Sequence, residues 1–339
     1  MRDYRNYSLL QHNTFGIDVR CDRFLEFESA EELQKIVLSL TKDDCPLLII
    51  GGGSNLLLTG DFHGTVIHSS IKGTTCLPSD DPSVILLRCG SGETWDDIVE
   101  LCVTNGWYGA ENLSLIPGEV GASAVQNIGA YGVEIKDLIY QIEAIEIATG
   151  KHMEFSAADC QYGYRQSRFK QDWRDRYIIT YVTYRLSTNF IAHLDYGNIR
   201  QTLSEQNIEH PTARQLRQAI IDIRRNKLPD PEVEGNAGSF FMNPIVGKDK
   251  YLELARQYPS MPHYPVDDEH EKIPAGWMID QCGWKGKSLG RAGVHDKQAL
   301  VLVNRGGAKG EDIIHLCETI KKDVFDKFGI EIHPEVNIR

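Results

Sequence analysis

The chain lacks the features that mark several specialised classes of protein. Its 339 residues carry 36 lysines and arginines against 48 aspartates and glutamates, a net charge of −12, so no positive excess supports non-specific nucleic-acid binding. No run approaches the roughly twenty apolar residues of a membrane span, and residues 1–5 open no apolar secretion signal. We therefore expect a cytoplasmic protein without nucleic-acid or membrane partners.

The eight cysteines show no CxxC spacing, and the chain holds no HExxH sequence. Cys89, Cys102 and Cys317 stand in or beside apolar runs, where free cysteine behaves as a small buried hydrophobic residue. We predict free thiols in a reducing compartment. The eleven histidines are scattered, so we predict no metal site.

Two standard nucleotide-binding motifs are incomplete. After Gly51–Gly53 the GxGxxG fingerprint requires glycine where Leu56 stands, and no acidic residue follows about twenty positions later. Gly286-Lys287-Ser288 ends like a P-loop, but the earlier glycine of that motif falls at Gln281. The sequence therefore argues against both the Rossmann and the P-loop modes of nucleotide binding.

Hydrophobic periodicity and capping residues predict a mixture of helices and strands. The helices are predicted at 29–40 (capped by Ser29), 94–105 (opened by an acidic capping box at Thr94 and ended by Gly106), 212–227, 275–282 and 312–328. The strands are predicted at 46–50, 84–88, 139–148, 177–186 and 299–303, with a short one at the end of the chain. The stretch 112–132 is rich in glycine and alanine and shows no period, so we predict a loop there. Pro229 and Pro231 suggest a boundary.

Several motifs are chemically ambiguous when taken alone. Gly51–Asn55 is either an anion-binding nest or a tight turn, and Gly118–Gly132 is either pressed against a ligand or a flexible surface loop. Arg165 suits carboxylate or phosphate pairing, yet it could equally stack on a neighbouring tyrosine. Ser239 is either a helix cap or a catalytic hydroxyl, and Glu335 could be an ordinary surface carboxylate.

Taken in order, these motifs resemble one known family. They are Asn13-Thr14-Phe15, Gly51–Asn55, Ile116-Pro117-Gly118, Gln126–Gly132, Tyr164-Arg165, Lys227–Pro231, Gly235–Pro244 and Pro334-Glu335-Val336. The family is UDP-N-acetylenolpyruvoylglucosamine reductase, a flavoenzyme of peptidoglycan precursor synthesis. Leu194–Gly197 resembles the tyrosine loop that covers the substrate in its type I form.

The resemblance implies an α+β protein. Its expected fold is the two-lobed FAD-binding fold of the vanillyl-alcohol-oxidase/PCMH type, followed by a C-terminal α+β substrate-binding domain. We expect FAD-binding lobe 1 at 1–72, lobe 2 at 73–210 and the substrate-binding domain at 211–339. The extreme C-terminus either stays in that domain or returns to lobe 1.

The resemblance also implies a non-covalent FAD and the residues that bind it. These are Gly51, Gly52, Gly53, Ser54, Asn55, Ile116, Pro117, Gly118, Gly121, Ala122, Ser123, Asn127, Ile128, Gly129, Tyr131, Arg165 and Arg224. Arg225 is an alternative to Arg224 that the sequence leaves open. Relatives carry a hydroxylated residue where this chain has Ala122, so one side-chain hydrogen bond to FAD is expected to be lost there.

The implied reaction is the NADPH-dependent reduction of UDP-N-acetylglucosamine enolpyruvate to UDP-N-acetylmuramate with ping-pong kinetics. FAD delivers hydride to C3, Arg165 and Glu335 stabilise the enolate, and Ser239 protonates C2. Glu335 would act either as a carboxylate or as the protonated acid. The implied substrate-binding residues are Tyr164, Tyr196, Lys227, Asn243, Tyr264, Lys285 and Gln298. We expect a monomer.

Two rival functions remain open on the sequence. A flavin oxidase on the same fold would share the glycine-rich loops, but it gives no role to Ser239 or Lys227. A non-redox nucleotide-transfer enzyme or binding module would use Gly286-Lys287-Ser288 and would carry no flavin.

Overall fold

The computed structural model describes residues 1–339 and contains eight α-helices and twenty β-strands. The helices α1 to α8 are Ala30–Ser39, Trp95–Asn105, Val120–Gln126, Ile199–Glu205, Ala213–Lys227, Lys248–Gln257, Ala275–Gln281 and Gly310–Phe328. The strands β1 to β20 are Arg2–Ser8, Arg20–Phe27, Leu47–Ile50, Leu56–Leu57, Phe62–Ser69, Thr74–Leu77, Val84–Gly90, Gly129–Ala130, Val133–Glu134, Ile139–Glu146, His152–Ser156, Tyr177–Ser187, Asn236–Ser239, Ile245–Gly247, Tyr264–Pro265, His270–Lys272, Ser288–Leu289, Ala292–Val294, Val301–Asn304 and Asn337–Ile338.

The chain forms two compact units, and each contains several separate segments. Unit 1 comprises Met1–Tyr7, Cys21–Gly52 and His63–Asn226, and unit 2 comprises Ser8–Arg20, Gly53–Phe62 and Lys227–Arg339. The expected division of the FAD-binding part at position 72 stays a prediction.

Two sheets build unit 1. The first has the order β1-β2-β5-β3, in which β3 pairs with β5 in parallel. The second has the order β11-β10-β12-β7-β6 and is antiparallel. Residues of β7, β10 and β12 share a core with α2 and α3, in which Trp95 meets Tyr184 edge to face. This packing fixes α3, which carries part of the expected cofactor site.

The helix α1 confirms the capping pattern that predicted it. Ser29 accepts a hydrogen bond from the backbone N–H of Glu32, which satisfies one of the free N–H groups of the first turn. Leu33, Ile36 and Val37 then face the core beside β2 and β5. The spacing of these three residues is the i, i+3, i+4 pattern of an amphipathic helix.

The helix α5 belongs to unit 1 as far as Asn226, and the expected start of the substrate-binding domain at position 211 stays a prediction. Thr212 caps it as predicted, by accepting from the N–H of Gln215. Its apolar face packs against α4, and Arg217 forms a two-pronged ion pair with Asp96 on α2. These contacts attach α5 to α2 and α4 within unit 1.

Unit 2 is organised around the helix α8. The buried face of α8 covers β18 and β19 in a four-stranded antiparallel sheet of order β13-β19-β18-β17. A smaller antiparallel sheet has the order β14-β16-β15. At the end of the chain, β20 pairs in parallel with β4, so Asn337 and Ile338 lie beside Leu56 and Leu57.

Two local predictions are wrong. The stretch 112–132 is not a loop throughout, because it contains α3 and the short strand β8. The sequence did not predict α3 because its small residues show no hydrophobic periodicity. Close packing requires such residues, since a Cβ added to Gly121 would come within 2.9 Å of the Ser91 side chain. Thr94 precedes α2 but makes no side-chain capping bond.

All eight cysteines are free thiols, as predicted. Burial raises the pKa of Cys102 to about 12 and that of Cys160 to about 11. None of the helices combines the length and the apolar character that crossing a bilayer requires.

Candidate active site

Two of the glycine-rich segments meet in unit 1. A Cβ added to Gly51 would lie 3.1 Å from the Cβ of Ala122, and one added to Gly52 would lie 3.7 Å from the Cα of Gly118. The segment after β3 therefore packs closely against the start of α3, and a side chain at Gly51 would require its neighbours to shift by a few tenths of an ångström. The methyl group of Ala122 fills space against the Gly51 loop.

The turn Leu115–Gly118 is fixed by side chains from α2 and α5. Leu115 has a φ of 57°, and its N–H donates to Asp96 Oδ1 at 2.5 Å. Arg224 Nε donates to the carbonyl oxygen of Leu115 at 3.2 Å. On the far side of the turn, the carbonyl of Gly118 accepts from the N–H of Trp95. Ile116 and Pro117 are thereby held in a turn whose two ends are anchored.

Two polar residues of the expected cofactor site are occupied within the protein. The hydroxyl of Ser123 donates to the carbonyl of Val120 and lies 3.2 Å from the Tyr184 hydroxyl. Asn127 is fully buried, and its amide donates to Glu134 and to the carbonyl of Gly163. Their side chains shape the segment, so contact with a cofactor here would come from the backbone.

Arg165 lies on the backbone of this same segment. Its Nη1 is 3.3 Å from the carbonyl oxygen of Asn127, and its Nη2 is 2.7 Å from that of Gly129. Its own φ is 54°, a left-handed conformation that is uncommon for residues other than glycine. Arg165 is thereby joined to the segment that leads into the strand pair β8–β9, and Ile128 at its base is partly buried and donates its N–H to the carbonyl of Ser123.

Arg224 is partly buried and lies near Arg165, whereas Arg225 is exposed. Burial lowers the pKa of the Arg224 guanidinium, Tyr131 and Asp96 oppose that shift, and the charge of Arg165 adds to it. Burial also raises the pKa of Tyr131. A partly buried cation whose hydrogen-bonding partners are a carbonyl and a phenol favours an anion beside it.

The tyrosine loop touches the end of the glycine-rich segment. A Cβ on Gly132 would lie 3.5 Å from the Cβ of Tyr196, and one on Gly197 would lie 3.6 Å from the Tyr131 ring. Asn112 joins the two segments, because its amide donates to the carbonyls of Tyr131 and His193. Tyr196 itself stays 47% exposed. Tyr164, next to Arg165, is also largely exposed.

In unit 2, the position of Gly53, the third glycine of the loop, can be occupied only by glycine. Gly53 has a φ of 67°, and a Cβ there would lie 2.0 Å from the carbonyl oxygen of His12. Thr14 donates its N–H to the carbonyl of Gly53 and its hydroxyl to the carbonyl of Asn236. The two residues that follow Gly53 lead into β4.

Ser239 and Glu335 lie on neighbouring backbone segments of unit 2. Ser239 ends β13, where its Cα pairs with that of Val301, so it is not a helix cap. It is exposed. Glu335 donates its N–H to the carbonyl of Phe240 at 2.8 Å. The amide of Asn55 reaches the carbonyl of Glu335 at 3.4 Å. The serine, the glutamate and the end of the glycine loop thus converge.

Two of the expected substrate-binding residues flank the start of α7 in unit 2. Asn243 Oδ1 accepts from the N–H of Ala275, and Gln298 Oε1 lies 3.2 Å from a Cβ added to Gly276.

The remaining substrate candidates of unit 2 lie in several elements. Lys285 follows α7 and lies 3.6 Å from Asp280. Tyr264 belongs to β15, is 45% exposed and lies under the ammonium of Lys272. Lys227 is the last residue of α5 and is exposed.

The residues of unit 1 fit FAD on two observations. Gly51 packs so closely on Ala122 and Glu119 that an added Cβ would crowd them, and Arg224 supplies a partly buried cation beside the anchored turn. A pyrophosphate needs backbone N–H groups and local positive charge of this kind.

A pair of charged residues beside the glycine loop escaped the sequence analysis. His68 Nε2 lies 3.1 Å from Glu119 Oε1, and the other ring nitrogen lies 3.1 Å from Glu26 Oε2. The sequence did contain a signal for Glu119, because it is the one charged residue between Gly118 and Tyr131.

Comparison with known proteins gives consistent results along the whole chain. Residues 230–339 match the family described as UDP-N-acetylenolpyruvoylglucosamine reductase, C-terminal domain, and residues 21–156 match the FAD binding domain family. The UDP-N-acetylenolpyruvoylglucosamine reductase of Bacteroides fragilis is 55% identical over 335 residues, 98% of this chain and 99% of the relative. That of Porphyromonas gingivalis is 48% identical over 332 residues, 98% of each chain.

A solved structure shows the same fold. The crystal structure of UDP-N-acetylenolpyruvylglucosamine reductase from Thermus caldophilus superposes with a TM-score of 0.67 at 21% identity, over 99% of this chain and 98% of the other. The predicted α+β FAD-binding fold, FAD as the cofactor and the enzyme class, a flavin-dependent oxidoreductase, are therefore confirmed. The chain belongs to the UDP-N-acetylenolpyruvoylglucosamine reductase family.

Proposed function

We propose that the chain reduces UDP-N-acetylglucosamine enolpyruvate to UDP-N-acetylmuramate, with NADPH as the electron donor and alternating binding of the two substrates. The observation that carries the proposal is the convergence of Ser239 and Glu335, which lie on hydrogen-bonded segments of unit 2. Membership of the family supplies the reaction that this pair would serve.

When held by the Gly51–Gly53 loop and the Ile116–Gly118 turn, FAD would supply the hydride chemistry that links NADPH to C3 of the enolpyruvyl group. The chain must then stabilise negative charge that spreads from C2 into the substrate carboxylate. Arg165 suits this role, because its guanidinium is permanently cationic and its position is fixed by two backbone carbonyls. Glu335 completes the set by hydrogen bonding to the same developing charge.

Ser239 would donate the proton that C2 needs. A serine hydroxyl is a weak acid, but an enolate carbon is a strong base, so transfer from a fixed hydroxyl is chemically feasible. Gly238 has a φ of 67°, which sets the direction of the strand at this point. Exposure of Ser239 leaves its hydroxyl accessible to a substrate.

The substrate's diphosphate and uridine require local positive charge on an acidic protein. Lys227 and Lys285 would face the diphosphate and the uridine. Asn243 and Gln298, at the start of α7, and Tyr264 would contact the sugar nucleotide.

In unit 1, Tyr196 and Tyr164 would cover and orient the substrate. FAD would be held by the Gly51–Gly53 backbone with Ser54 and Asn55, and by the Ile116–Gly118 turn with Gly121 and Arg224.

An anaerobic titration tests the proposal. The purified protein should show the absorbance bands of a bound flavin, which NADPH should bleach and the enolpyruvyl sugar nucleotide should restore. Rapid peroxide formation with NADPH alone would instead indicate an oxidase. A colourless protein that binds no FAD would contradict the assignment altogether.

A further inference from the structure

A chain of four charged side chains runs from the first strand to the glycine loop of unit 1. Arg2 Nη1 lies 2.6 Å from Glu26 Oε1, and Glu26 Oε2 lies 3.1 Å from Nδ1 of His68. Nε2 of His68 lies 3.1 Å from Glu119 Oε1. Because both ring nitrogens face carboxylate oxygens, both contacts are hydrogen bonds only when the ring carries two protons. The four charges then sum to zero.

The groups around His68 support its protonated form. Glu26 on β2 and Glu119 before α3 face the ring directly, while Glu28 lies at the outer end beside Arg2. On β1, Tyr7 lies near Glu26 and is neutral at ordinary pH. Burial by itself lowers the pKa of His68, but the hydrogen bonds and charges of the two glutamates outweigh burial and raise it.

The last carboxylate of the chain lies against the diglycine loop. A Cβ added to Gly51 would come within 3.2 Å of Glu119 Oε2, and one added to Gly52 within 3.8 Å of Oε1. Oε2 is buried and has no hydrogen-bond partner. A carboxylate beside a loop that binds a pyrophosphate would repel the pyrophosphate, unless a nearby cation neutralises the charge of the carboxylate.

We propose that Glu119 and His68 form a positioning pair for FAD. Glu119 supports the Gly51–Gly52 backbone from inside the protein, and protonated His68 cancels its charge, so the pyrophosphate binds without repulsion. The proposal rests on the proposed location of FAD at this loop. Neither residue touches the reacting atoms.

The pair makes FAD affinity depend on pH. A histidine with a raised pKa is charged below that pKa and loses its charge as the pH rises through it. The pyrophosphate keeps its charge over this range, so FAD should bind most tightly with His68 protonated. The dissociation constant should then increase with pH above the ordinary histidine value of about 6.5, by no more than about tenfold per pH unit for a single proton.

Three variants separate charge from shape. E119Q removes the buried negative charge, H68N removes the compensating positive charge, and H68N/E119Q removes both. H63N is the matched control, because His63 lies on the same strand, is exposed and contacts Asp22 at 3.3 Å. FAD release from each purified holoprotein is measured by dilution and ultrafiltration between pH 6 and 9, with no turnover involved.

We expect H68N to weaken FAD binding about tenfold at pH 6.5 and to abolish the pH dependence. E119Q should retain tight binding up to pH 9, and the double variant should recover most of the affinity that H68N loses. The proposal is overturned if E119Q keeps the wild-type pH dependence, or if the double variant binds no better than H68N. If H68N does not fold, E119Q and the double variant still decide. A wild-type protein that binds no FAD would contradict the proposed function instead.

Discussion

Glu335 donates its backbone N–H to the carbonyl oxygen of Phe240 over 2.8 Å. This bond joins two parts of the chain that are 95 positions apart. The residue before Glu335, Pro334, forms an antiparallel bridge with the residue after Phe240, Phe241. Ser239 lies immediately before Phe240. The geometry of the proposed proton donor and the proposed acid is thus set by main-chain hydrogen bonds, which side-chain substitutions should leave intact.

Ser239→Ala should therefore separate the two halves of the reaction. Reduction of the flavin by NADPH should keep its rate, while reoxidation by the enolpyruvyl substrate should slow by about 10²–10⁴-fold, the usual contribution of a positioned proton donor. Anaerobic stopped-flow absorbance at the flavin band measures each half separately. Unchanged reoxidation would remove Ser239 from the proposed role.

Glu335→Gln should impair the same half-reaction. The amide keeps the size and part of the hydrogen bonding of the acid, but it changes the stabilisation of the developing enolate, so we expect a loss of about 10²–10³-fold. Comparable slowing of reduction by NADPH would place Glu335 elsewhere in the cycle. The thermal midpoint should not change, because the backbone bond to Phe240 remains.

Arg224→Gln should weaken FAD binding. The substitution removes the partly buried cation and the bond from Nε to the carbonyl of Leu115, so the dissociation constant should rise by about ten- to a hundredfold, as for the loss of one charged hydrogen bond. Arg225→Gln is the matched control, since Arg225 is the exposed neighbour on the same helix. Equal effects of the two substitutions would contradict the proposed role of Arg224.

The sequence predicted the elements whose signals are local. Ser29, Gly106 and Thr212 mark helix ends through capping and left-handed geometry that a few neighbouring residues determine. The helix α3 was missed, because its small residues are selected by close packing against Ser91 rather than by periodicity. Long-range packing of this kind leaves no mark in a short sequence window.

The candidate site shows the same limit. The choice between Arg224 and Arg225 depends on which face of α5 is turned towards the protein, and a short sequence window does not determine this. The pair of His68 and Glu119 joins residues 51 positions apart, and only Glu119 lies within one of the motifs. Family resemblance identified the glycine loops and Ser239. The interaction of His68 with Glu119 beside the Gly51–Gly52 loop depends on proximity in three dimensions, which the motifs do not contain.

Cysteine reactivity checks the placement of the thiols. Cys45 and Cys76 are exposed and Cys282 is partly exposed, whereas the other five are buried. At pH 8 the native protein should react rapidly with a disulfide reagent at two thiols and more slowly at a third, because burial raises the pKa of thiols such as Cys102 and reduces access to them. Rapid modification of all eight without denaturant would contradict the fold.

Arg217→Ala should destabilise unit 1 through the ion pair that attaches α5 to α2. Arg217 is mostly buried, and its two terminal nitrogens lie 2.6 and 3.0 Å from the carboxylate oxygens of Asp96. Removing one partner of such a pair leaves the other uncompensated, so we expect the free energy of unfolding to fall by about 3 kcal/mol. Arg214→Ala, at an exposed position of the same helix, should change it by less than about 0.5 kcal/mol. Because Asp96 also binds the N–H of Leu115, the Arg217 variant should in addition lose FAD at a lower temperature than the wild type, which flavin fluorescence during heating would detect. Equal midpoints for the two alanine variants would show that α5 is held by its apolar face alone.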